Sequence, residues 1–465
     1  MSKPMTLEKK QKEIAKWERE KARPKKSYYI LYLIFIISLV YISDEVATQI
    51  NTLMKAEIIS VLFQPKFGDK SVSTMDTIGL LSYVFVILSV FYKPLSDRFG
   101  RKVFLVINTF GMSFGMLIIA LGNNLVYYIL GTAVIFFFTP HDMQVVYIME
   151  SAPAKHRAKI YSIVKCIATL GVMLVPLFRK LLMTDASQWS RVYLIPAVIG
   201  CAVSFLGLLF ARETDVFIDS RLAYLKMTDE ELAAAKAEKS NKDSQGGFFT
   251  GLKFMFKHKQ LKWAFIATAF VNFGAIITME YSVIMSQGFD KGIKDIANDK
   301  VMTMALFLFP VGSAIAQLLL GFFADAIGRK KSAVIMTALT ISSLVLMTVG
   351  ANMGWSPYLV GLFSGVAVGS YWSCTDIAGI IIQESSPTNL RSSTLSGMFI
   401  AMGVGYVAYY LIGVPLMAVF GDSSVPMVTL CIALPGMVAS LLIYAKKVHD
   451  TKGVNLDEVT GTEWD

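Results

Sequence analysis

Several ionisable side chains lie inside stretches that are otherwise apolar. Among them are Asp44, Glu45, His141, Asp142, Lys165, Glu280 and Asp376. A charged side chain at the centre of a membrane helix costs at least about 2.5–3.5 kcal/mol on insertion scales, so such a group needs a partner or a water-filled cavity. The acids therefore predict an internal polar site that binds a solute, a cation or a proton.

Two of these acids occupy equivalent places in the chain. Asp142 and Asp376 each lie eight residues before a Glu-x2-Pro-x3-Arg element, which is about 12 Å along a helix. Lys165 has a similar depth and could pair with Asp142, either as a helix-packing ion pair or as part of a substrate site. Its counterpart in the second half is Phe399. Asp376 thus has no corresponding base, which favours proton uptake, so we predict Asp376 as the foremost proton or cation site.

Four more of these residues have both a functional and a structural interpretation. Glu280 is predicted to contact the substrate or a proton. Asp44 and Glu45 either belong to the site or face the outer water. His141 has a neutral-range titration suited to proton transfer, or else makes an ordinary helix contact beside its acidic neighbour.

Polar and aromatic neighbours extend the candidate site. Trp372 precedes Asp376 by one helical turn, so both share a face. An aromatic wall beside an acid suits an organic cation, whereas the alternative is a packed core tryptophan. Gln383 lies near that face, and Asn272, in the seventh apolar stretch, completes the candidates.

The elements that hold these residues are predicted to be membrane helices. The chain has 465 residues, of which 54% are hydrophobic and 17% are charged, against about a quarter charged in soluble domains. About 20 apolar residues cross a bilayer as a helix. The predicted spans are 28–52, 74–95, 103–121, 124–149, 159–182, 190–211, 262–285, 300–324, 332–351, 355–383, 392–418 and 423–446. This pattern predicts an all-α membrane protein with twelve transmembrane helices.

The second half of the chain repeats the first. DRFGRK at 97–102 reappears as DAIGRK at 325–330, and the Glu-x2-Pro-x3-Arg element at 150–157 reappears at 384–391. Two such halves predict two pseudo-symmetric six-helix bundles with a binding site between them.

These repeated motifs resemble the major facilitator superfamily over essentially all twelve spans. The two loops are similar to the family's signature loop, and the Glu-x2-Pro-x3-Arg element is similar to that of sugar porters and organic-ion carriers. The resemblance implies a cytoplasmic gate that latches the halves together in the outward-facing state. Its predicted members are Asp97, Arg98, Arg101, Glu150, Arg157, Asp325, Arg329, Glu384 and Arg391. The sugar-porter elements after span six and in span seven are absent, which argues against a sugar substrate.

Basic loops set the predicted orientation and domain boundaries. Most loop lysines and arginines fall on the side of both termini, so we predict cytoplasmic termini and a multi-pass protein of the cell membrane. The predicted segments are a tail at 1–27, a bundle at 28–211, a linker with an amphipathic helix at 212–261, a bundle at 262–446 and a tail at 447–465. The four cysteines fall in apolar segments and are expected to be buried thiols.

The leading hypothesis is a secondary carrier of a small organic solute, coupled to protons or another ion. The alternatives are a multidrug or organic-cation efflux carrier and a non-transporting solute receptor on the same fold. Enzyme motifs, a phosphate-binding loop and metal-ligand spacings are absent from the sequence, so no enzyme activity, cofactor or metal is expected. The expected partners are the lipid bilayer, the solute and protons. No nucleic acid partner is expected, and the protein is expected to be a monomer.

Overall fold

A computed structural model describes residues 7–24, 28–92, 95–139, 143–152, 157–228, 231, 248–293, 298–387, 390–454, 459–460 and 463. Within these ranges the chain forms helices and turns without a strand. The predicted all-α fold class is confirmed. His141 and Asp142 lie outside the described residues, as do the side chains of Asp97, Arg98, Arg157 and Arg391.

The first half of the chain contains thirteen helical segments in its described part. They are α1 Leu7–Ala22, α2 Tyr29–Leu53, α3 Lys55–Ile58, α4 Gln64–Phe67, α5 Ser71–Tyr92, α6 Ser96–Phe99, α7 Arg101–Leu121, α8 Leu125–Phe138, α9 Met143–Ser151, α10 Arg157–Gly171, α11 Leu174–Leu182, α12 Arg191–Phe210 and α13 Asp215–Lys226. Predicted spans four and five each correspond to two consecutive helices, α8 with α9 and α10 with α11.

The second half has nine α-helices in the residues described. They are α14 Phe248–Lys257, α15 Lys259–Val271, α16 Ala275–Gly292, α17 Asn298–Ile327, α18 Arg329–Asn352, α19 Pro357–Glu384, α20 Arg391–Ala408, α21 Val414–Phe420 and α22 Val425–Lys447. Over the described chain, nine helical stretches are long and apolar enough to cross a membrane. The predicted spans outside this set are two, four and five, which correspond to α5, to α8 with α9 and to α10 with α11.

Short irregular turns interrupt several spans. Two π-helical segments occupy Ile59–Phe63 and Tyr409–Gly413, and a 3₁₀ turn at Asn272–Gly274 separates α15 from α16. π-Helical turns are rare and often lie at functional positions. Here they begin or end beside buried ionisable side chains.

Contacts divide the chain into two compact units. Unit 1 comprises Met1–Thr48, Ser82–Gly171 and Tyr193–Asn241, and unit 2 comprises Gln49–Leu81, Val172–Val192 and Lys242–Asp465. Unit 2 therefore includes segments from both sequence halves. The predicted domain boundaries follow the sequence repeat and stay a prediction.

A buried apolar cluster forms the core of unit 1 around Ile37, Tyr41, Phe104, Tyr147 and Val164. A second cluster in the same unit joins α1 to α13, where the ring of Trp17 meets the edge of Phe217 at 5.4 Å between centroids. Salt bridges such as Arg221 to Glu13, at 2.8 Å, border this contact. The N-terminal helix is thus packed on the first linker helix.

Candidate functional site

A polar cavity of about 110 Å³ lies within unit 1. Helices α2, α7, α8 and α9 and the turn after α8 supply its walls. Its lining residues are Tyr41, Asp44, Glu45, Thr48, Asn108, Met112, Phe138, Thr139 and Gln144. Acids, amides, hydroxyls and aromatic rings thus converge on one space, and none of these nine residues is basic.

Asn108 is the least satisfied polar residue of this cavity. Its side chain is 3% exposed, and within the described part of the chain neither its amide nitrogen nor its amide oxygen has a hydrogen-bond partner. A buried amide without partners costs free energy, and native proteins satisfy most such groups with protein, water or ligand. The cavity is therefore suited to a ligand that both donates and accepts hydrogen bonds.

Of the predicted acids, Asp44 and Glu45 both line this cavity. Asp44 is 4% exposed, while Glu45 is half-buried. Sequence reasoning overlooked Asn108 and Gln144. Both are polar residues inside predicted spans, and that was the available signal.

Glu280 lies in a different setting, a buried charge cluster within unit 2. The Lys55 ammonium donates to Glu280 Oε1 at 2.5 Å and to Asp76 Oδ1 at 2.6 Å, and it also reaches the backbone oxygen of Met279 at 3.3 Å. Tyr409 donates its hydroxyl proton to Glu280 Oε1 at 2.6 Å. We call Lys55, Asp76, Glu280 and Tyr409 the Lys55 cluster.

Four elements position the Lys55 cluster. Lys55 begins α3 immediately after the first span, and Asp76 lies in the second turn of α5. Glu280 faces them from α16, and Tyr409 begins the second π-helical segment. Sequence reasoning missed Lys55 because it lies beyond the end of span one. Asp76 falls inside predicted span two and was detectable as an intramembrane acid.

A second buried ion cluster lies in the same unit around Arg179 of α11. Its guanidinium contacts Glu57 of α3 at 2.5 Å, and it donates to the Thr303 hydroxyl at 2.8 Å and to the backbone oxygen of Asp299 at 3.2 Å. Arg179 and Glu57 are 1% and 3% exposed, whereas the Asp299 carboxylate is 34% exposed and 4.0 Å away. We call these four residues the Arg179 cluster, which sequence reasoning also missed.

The remaining predicted residues of unit 2 have varied surroundings. Asp376 is exposed on α19, and Trp372 is half-buried, with its ring against the edge of Tyr371. Asn272 is fully buried; it accepts a hydrogen bond from the Tyr371 hydroxyl at 2.8 Å and donates to the Thr268 backbone oxygen at 2.7 Å. Its observed contacts thus secure the turn between α15 and α16.

Two further predicted residues are half-buried. Gln383 lies near the end of α19 in unit 2, and Lys165 lies on α10 in unit 1. Because Asp142 is outside the described residues, its pairing with Lys165 stays a prediction.

The two signature loops have matching geometry, each within its own unit. Arg101 donates to Glu150 at 3.1 Å in unit 1. Arg329 donates to both oxygens of Glu384 at 3.0–3.2 Å in unit 2, and it meets Asp325 at 3.2 Å. Gly100 and Gly328 precede the two arginines with φ of 115° and 95°, a backbone region that L side chains rarely adopt.

An acid–threonine dipeptide completes each loop network, and sequence reasoning missed both copies. The Glu213 carboxylate accepts from the backbone N–H groups of Arg101 and Lys102, and Thr214 donates to Glu150 at 2.6 Å. In unit 2 the corresponding acid accepts from the Arg329 N–H and the following threonine donates to Glu384; these residues are Asp450 and Thr451. The available signal was an acid followed by Thr after the last span of each half.

Glu213 lies outside the membrane spans and has a perturbed acidity. Its burial raises its pKa, while N–H groups of Thr214, Lys102 and Arg101 oppose the rise by stabilising the carboxylate. The desolvation effect is the larger one.

Two family models match this chain. The model of the Major Facilitator Superfamily matches residues 27–299, and the model of sugar (and other) transporters matches residues 267–445. Among curated proteins, the glucose transporter GlcP of Staphylococcus epidermidis is 22% identical over 387 residues, covering 79% of this chain and 83% of that protein.

Solved structures match over nearly the whole chain. The crystal structure of a D-xylose–proton symporter has a TM-score of 0.64 at 18% identity, covering 91% of this chain and 99% of that one. The inward-open xylose transporter XylE from E. coli has a TM-score of 0.63 at 16% identity, covering 93% and 99%. At these identities the similarity establishes the fold.

Proposed function

Because the chain belongs to the Major Facilitator Superfamily and is a secondary transporter that works by alternating access, we propose that its solute is a small polyhydroxylated molecule of the sugar class. We further propose that the unit 1 cavity binds this solute and that protons drive its movement. Asp44, Glu45, Asn108 and Gln144 are the proposed polar contacts.

The unsatisfied amide of Asn108 carries the proposal on the solute. A sugar hydroxyl donates one hydrogen bond and accepts others, so vicinal hydroxyls satisfy both atoms of a buried amide. The neighbouring carboxylates of Asp44 and Glu45 accept from further hydroxyls. Tyr41 and Phe138 offer apolar ring surface to the C–H groups of a sugar.

The charge of the cavity lining supports a neutral or cationic solute. Since the described lining contains two acids and no base, an anionic solute would meet side chains of like charge. The name of the glucose transporter relative favours the neutral sugar over an organic cation, although the sequence lacks two sugar-porter elements. An organic amine is therefore the competing solute in the test.

We also propose that the protein is a multi-pass protein of the cell membrane with both termini in the cytoplasm. The basic loop residues on the side of the termini support this orientation. In that frame the two signature-loop networks lie on the cytoplasmic side, and the Lys55 and Arg179 clusters lie toward the outside.

Ligand-dependent thermal stabilisation of the purified protein tests the solute class. A ligand that binds the folded state at 100 times its Kd stabilises it by about 2.7 kcal/mol. We expect hexoses or pentoses to raise the Tm of the wild type, and quaternary amines to leave it unchanged. Uptake of the stabilising solute into proteoliposomes, with and without a pH gradient, then separates a carrier from a receptor.

Asn108→Ala and Asn352→Ala form a matched pair for this experiment. Asn352 is an exposed residue near the end of α18, and its amide donates to the Thr348 backbone oxygen. We expect Asn108→Ala to lose the sugar-dependent rise in Tm and Asn352→Ala to retain it. Stabilisation by amines alone would overturn the proposed solute, and equal loss in both variants would remove Asn108 from the site.

A further inference from the structure

The Lys55 cluster contains one more acid than base, and its side chains are almost completely buried. Lys55, Asp76 and Glu280 are 4%, 8% and 0% exposed. With every group ionised, the cluster would carry a net charge of minus one. The adjacent Arg179–Glu57 pair contributes one charge of each sign and leaves this excess unchanged.

An unbalanced buried charge is costly. The effective penalty of burying an ion in a protein is several kcal/mol, and a partner offsets it only when the geometry is good and the counter-charge is complete. Lys55 contacts one oxygen of each acid, so a single ammonium is the shared counter-ion of two carboxylates. Binding one proton removes the excess charge.

Two oxygen atoms of the cluster are available to bind that proton. Asp76 Oδ2 and Glu280 Oε2 are buried and have no hydrogen-bond partner among the described residues. Glu280 Oε1, by contrast, accepts from both Lys55 and Tyr409. The two vacant oxygens are therefore the places where a proton can bind without breaking an existing hydrogen bond.

Among the described residues, the other ionisable groups near the cluster do not supply the missing positive charge. Asp422 lies toward Asp76 and accepts from the backbone N–H groups of Ser71 and Val72 at 3.1 and 2.9 Å. Asp69 is acidic as well, and Tyr410 adjoins Tyr409 with ring centroids 4.9 Å apart. None of these side chains is basic.

The cluster joins segments from the two sequence halves. Lys55 and Asp76 come from the first half, whereas Glu280 and Tyr409 come from the second, and all four lie within unit 2. Alternating access moves the halves against each other, so opening this side must separate Lys55 and Asp76 from Glu280. Separation would expose Glu280 to water, where an ionised carboxylate is well solvated.

We propose that the Lys55 cluster is a proton-operated closure, in which one proton shared by Asp76 and Glu280 is taken up from the outer water when these segments meet and leaves toward the inner side before they part. Only an O–H bond forms and breaks. One proton then crosses the membrane with each cycle. The transport consequence rests on the proposed proton coupling, whereas the proton count of the folded protein does not.

Two transport assays in proteoliposomes test the closure. Counterflow measures solute exchange without a pH gradient, and gradient-driven uptake measures coupling. With one proton per solute, one pH unit supports about tenfold accumulation. We expect Glu280→Gln and Asp76→Asn, which resemble the protonated acids, to retain counterflow and to lose accumulation.

Asp299→Asn is the matched control, and Asp376→Asn tests the alternative proton site on α19. Asp299 lies at the exposed edge of the Arg179 cluster, so its amide variant should accumulate solute like the wild type. Full accumulation by Glu280→Gln and Asp76→Asn would overturn the proposal. Loss of accumulation in Asp376→Asn alone would move the proton site to α19.

The stability of the purified protein against pH tests the proton count without solute. If the folded state holds a proton that the unfolded chain releases, stability falls as the pH rises above the ordinary range of a carboxylic acid. We expect Glu280→Gln to weaken that dependence and Asp299→Asn to keep it. A wild type without counterflow would contradict the proposed function, while an unchanged pH dependence in Glu280→Gln would contradict the closure.

Discussion

The Lys55 and Arg179 clusters each hold buried charges, but they balance those charges in different ways. Both are buried in unit 2, and both join the first sequence half to the second through α3. The Arg179 cluster buries one acid, Glu57, against one guanidinium, and its other acid, Asp299, is one-third exposed. The Lys55 cluster buries two acids against one ammonium.

The side-chain chemistry of arginine adds to this difference between the two clusters. A guanidinium stays charged at all physiological pH values and offers five donors in a fixed plane. Arg179 uses them on Glu57, Thr303 and the Asp299 backbone oxygen. Glu57 also leaves one oxygen without a partner in the described structure, but its charge is balanced. The comparison teaches that burial alone does not make a proton site; an uneven count of buried charges does.

The same substitution in the two clusters should have very different effects, and this is the largest effect we expect. Glu57→Gln leaves the buried Arg179 without a full counter-charge, and breaking a buried ion pair costs about 3–5 kcal/mol. Glu280→Gln resembles the protonated acid and keeps the acceptor oxygen, so it should cost about 1 kcal/mol or less, the size of one altered hydrogen bond. Thermal unfolding at neutral pH measures both.

The double variant Arg179→Met with Glu57→Gln provides the control. Replacing both partners of a buried pair is often nearly neutral, so it should recover much of the stability that Glu57→Gln loses. Equal destabilisation by Glu57→Gln and Glu280→Gln would mean that the two clusters hold their charges alike, against the comparison.

The sequence predicted the architecture well because membrane helices carry a local signal. Apolar length gave the spans, and the repeated loops gave the relation between the halves. The same repeat brought Arg101 close to Glu150, and Arg329 close to Glu384, in the structure. These residues lie at fixed places in a repeated motif, and the family resemblance implied that they form a charge network.

The charge clusters were harder to predict because they form through tertiary contacts. Lys55 and Glu280 are separated by more than two hundred residues, and Lys55 lies past the end of its span, where a base is unremarkable. Arg179 lies near the end of predicted span five, where a base is also unremarkable, although it is nearly fully buried. Asp76 and Glu280 carried a local signal, as acids within predicted spans, and the sequence analysis used it only for Glu280.

A smaller effect should distinguish the proton-bearing acid from its neighbours. Tyr409→Phe removes the hydroxyl that donates to Glu280 Oε1. Loss of this donor destabilises the ionised carboxylate more than the neutral acid. Glu280 should then hold its proton to a higher pH. We expect the pH profile of accumulation to shift upward, with a loss of roughly 1–2 kcal/mol of stability. Tyr410→Phe is the control on the adjoining residue, and equal shifts in both variants would exclude a specific role for Tyr409.

Glu213 extends the comparison to a third way of holding a buried acid, with the smallest expected effect. Its carboxylate is stabilised mainly by backbone N–H groups, with a smaller contribution from the charge of Arg101, and burial still raises its pKa. The folded state therefore binds a proton more tightly than the unfolded chain. Its contribution to stability is complete below the unfolded pKa and falls as pH rises through the folded pKa.

Glu213→Gln removes this titration, so the stability of the variant should decline less than that of the wild type as the pH rises above about 4.5, the usual range of a glutamate. Thermal unfolding at a series of pH values measures the difference. Glu384→Gln, at the half-exposed counterpart network, controls for a general effect of losing a loop carboxylate. If Glu213→Gln and the wild type keep parallel profiles, the N–H groups of α7 and Thr214 outweigh burial, and a buried acid held mainly by backbone donors can remain ionised in this protein. That result would also weaken the charge-count argument for the Lys55 cluster, because backbone donors would then be an adequate substitute for a counter-ion.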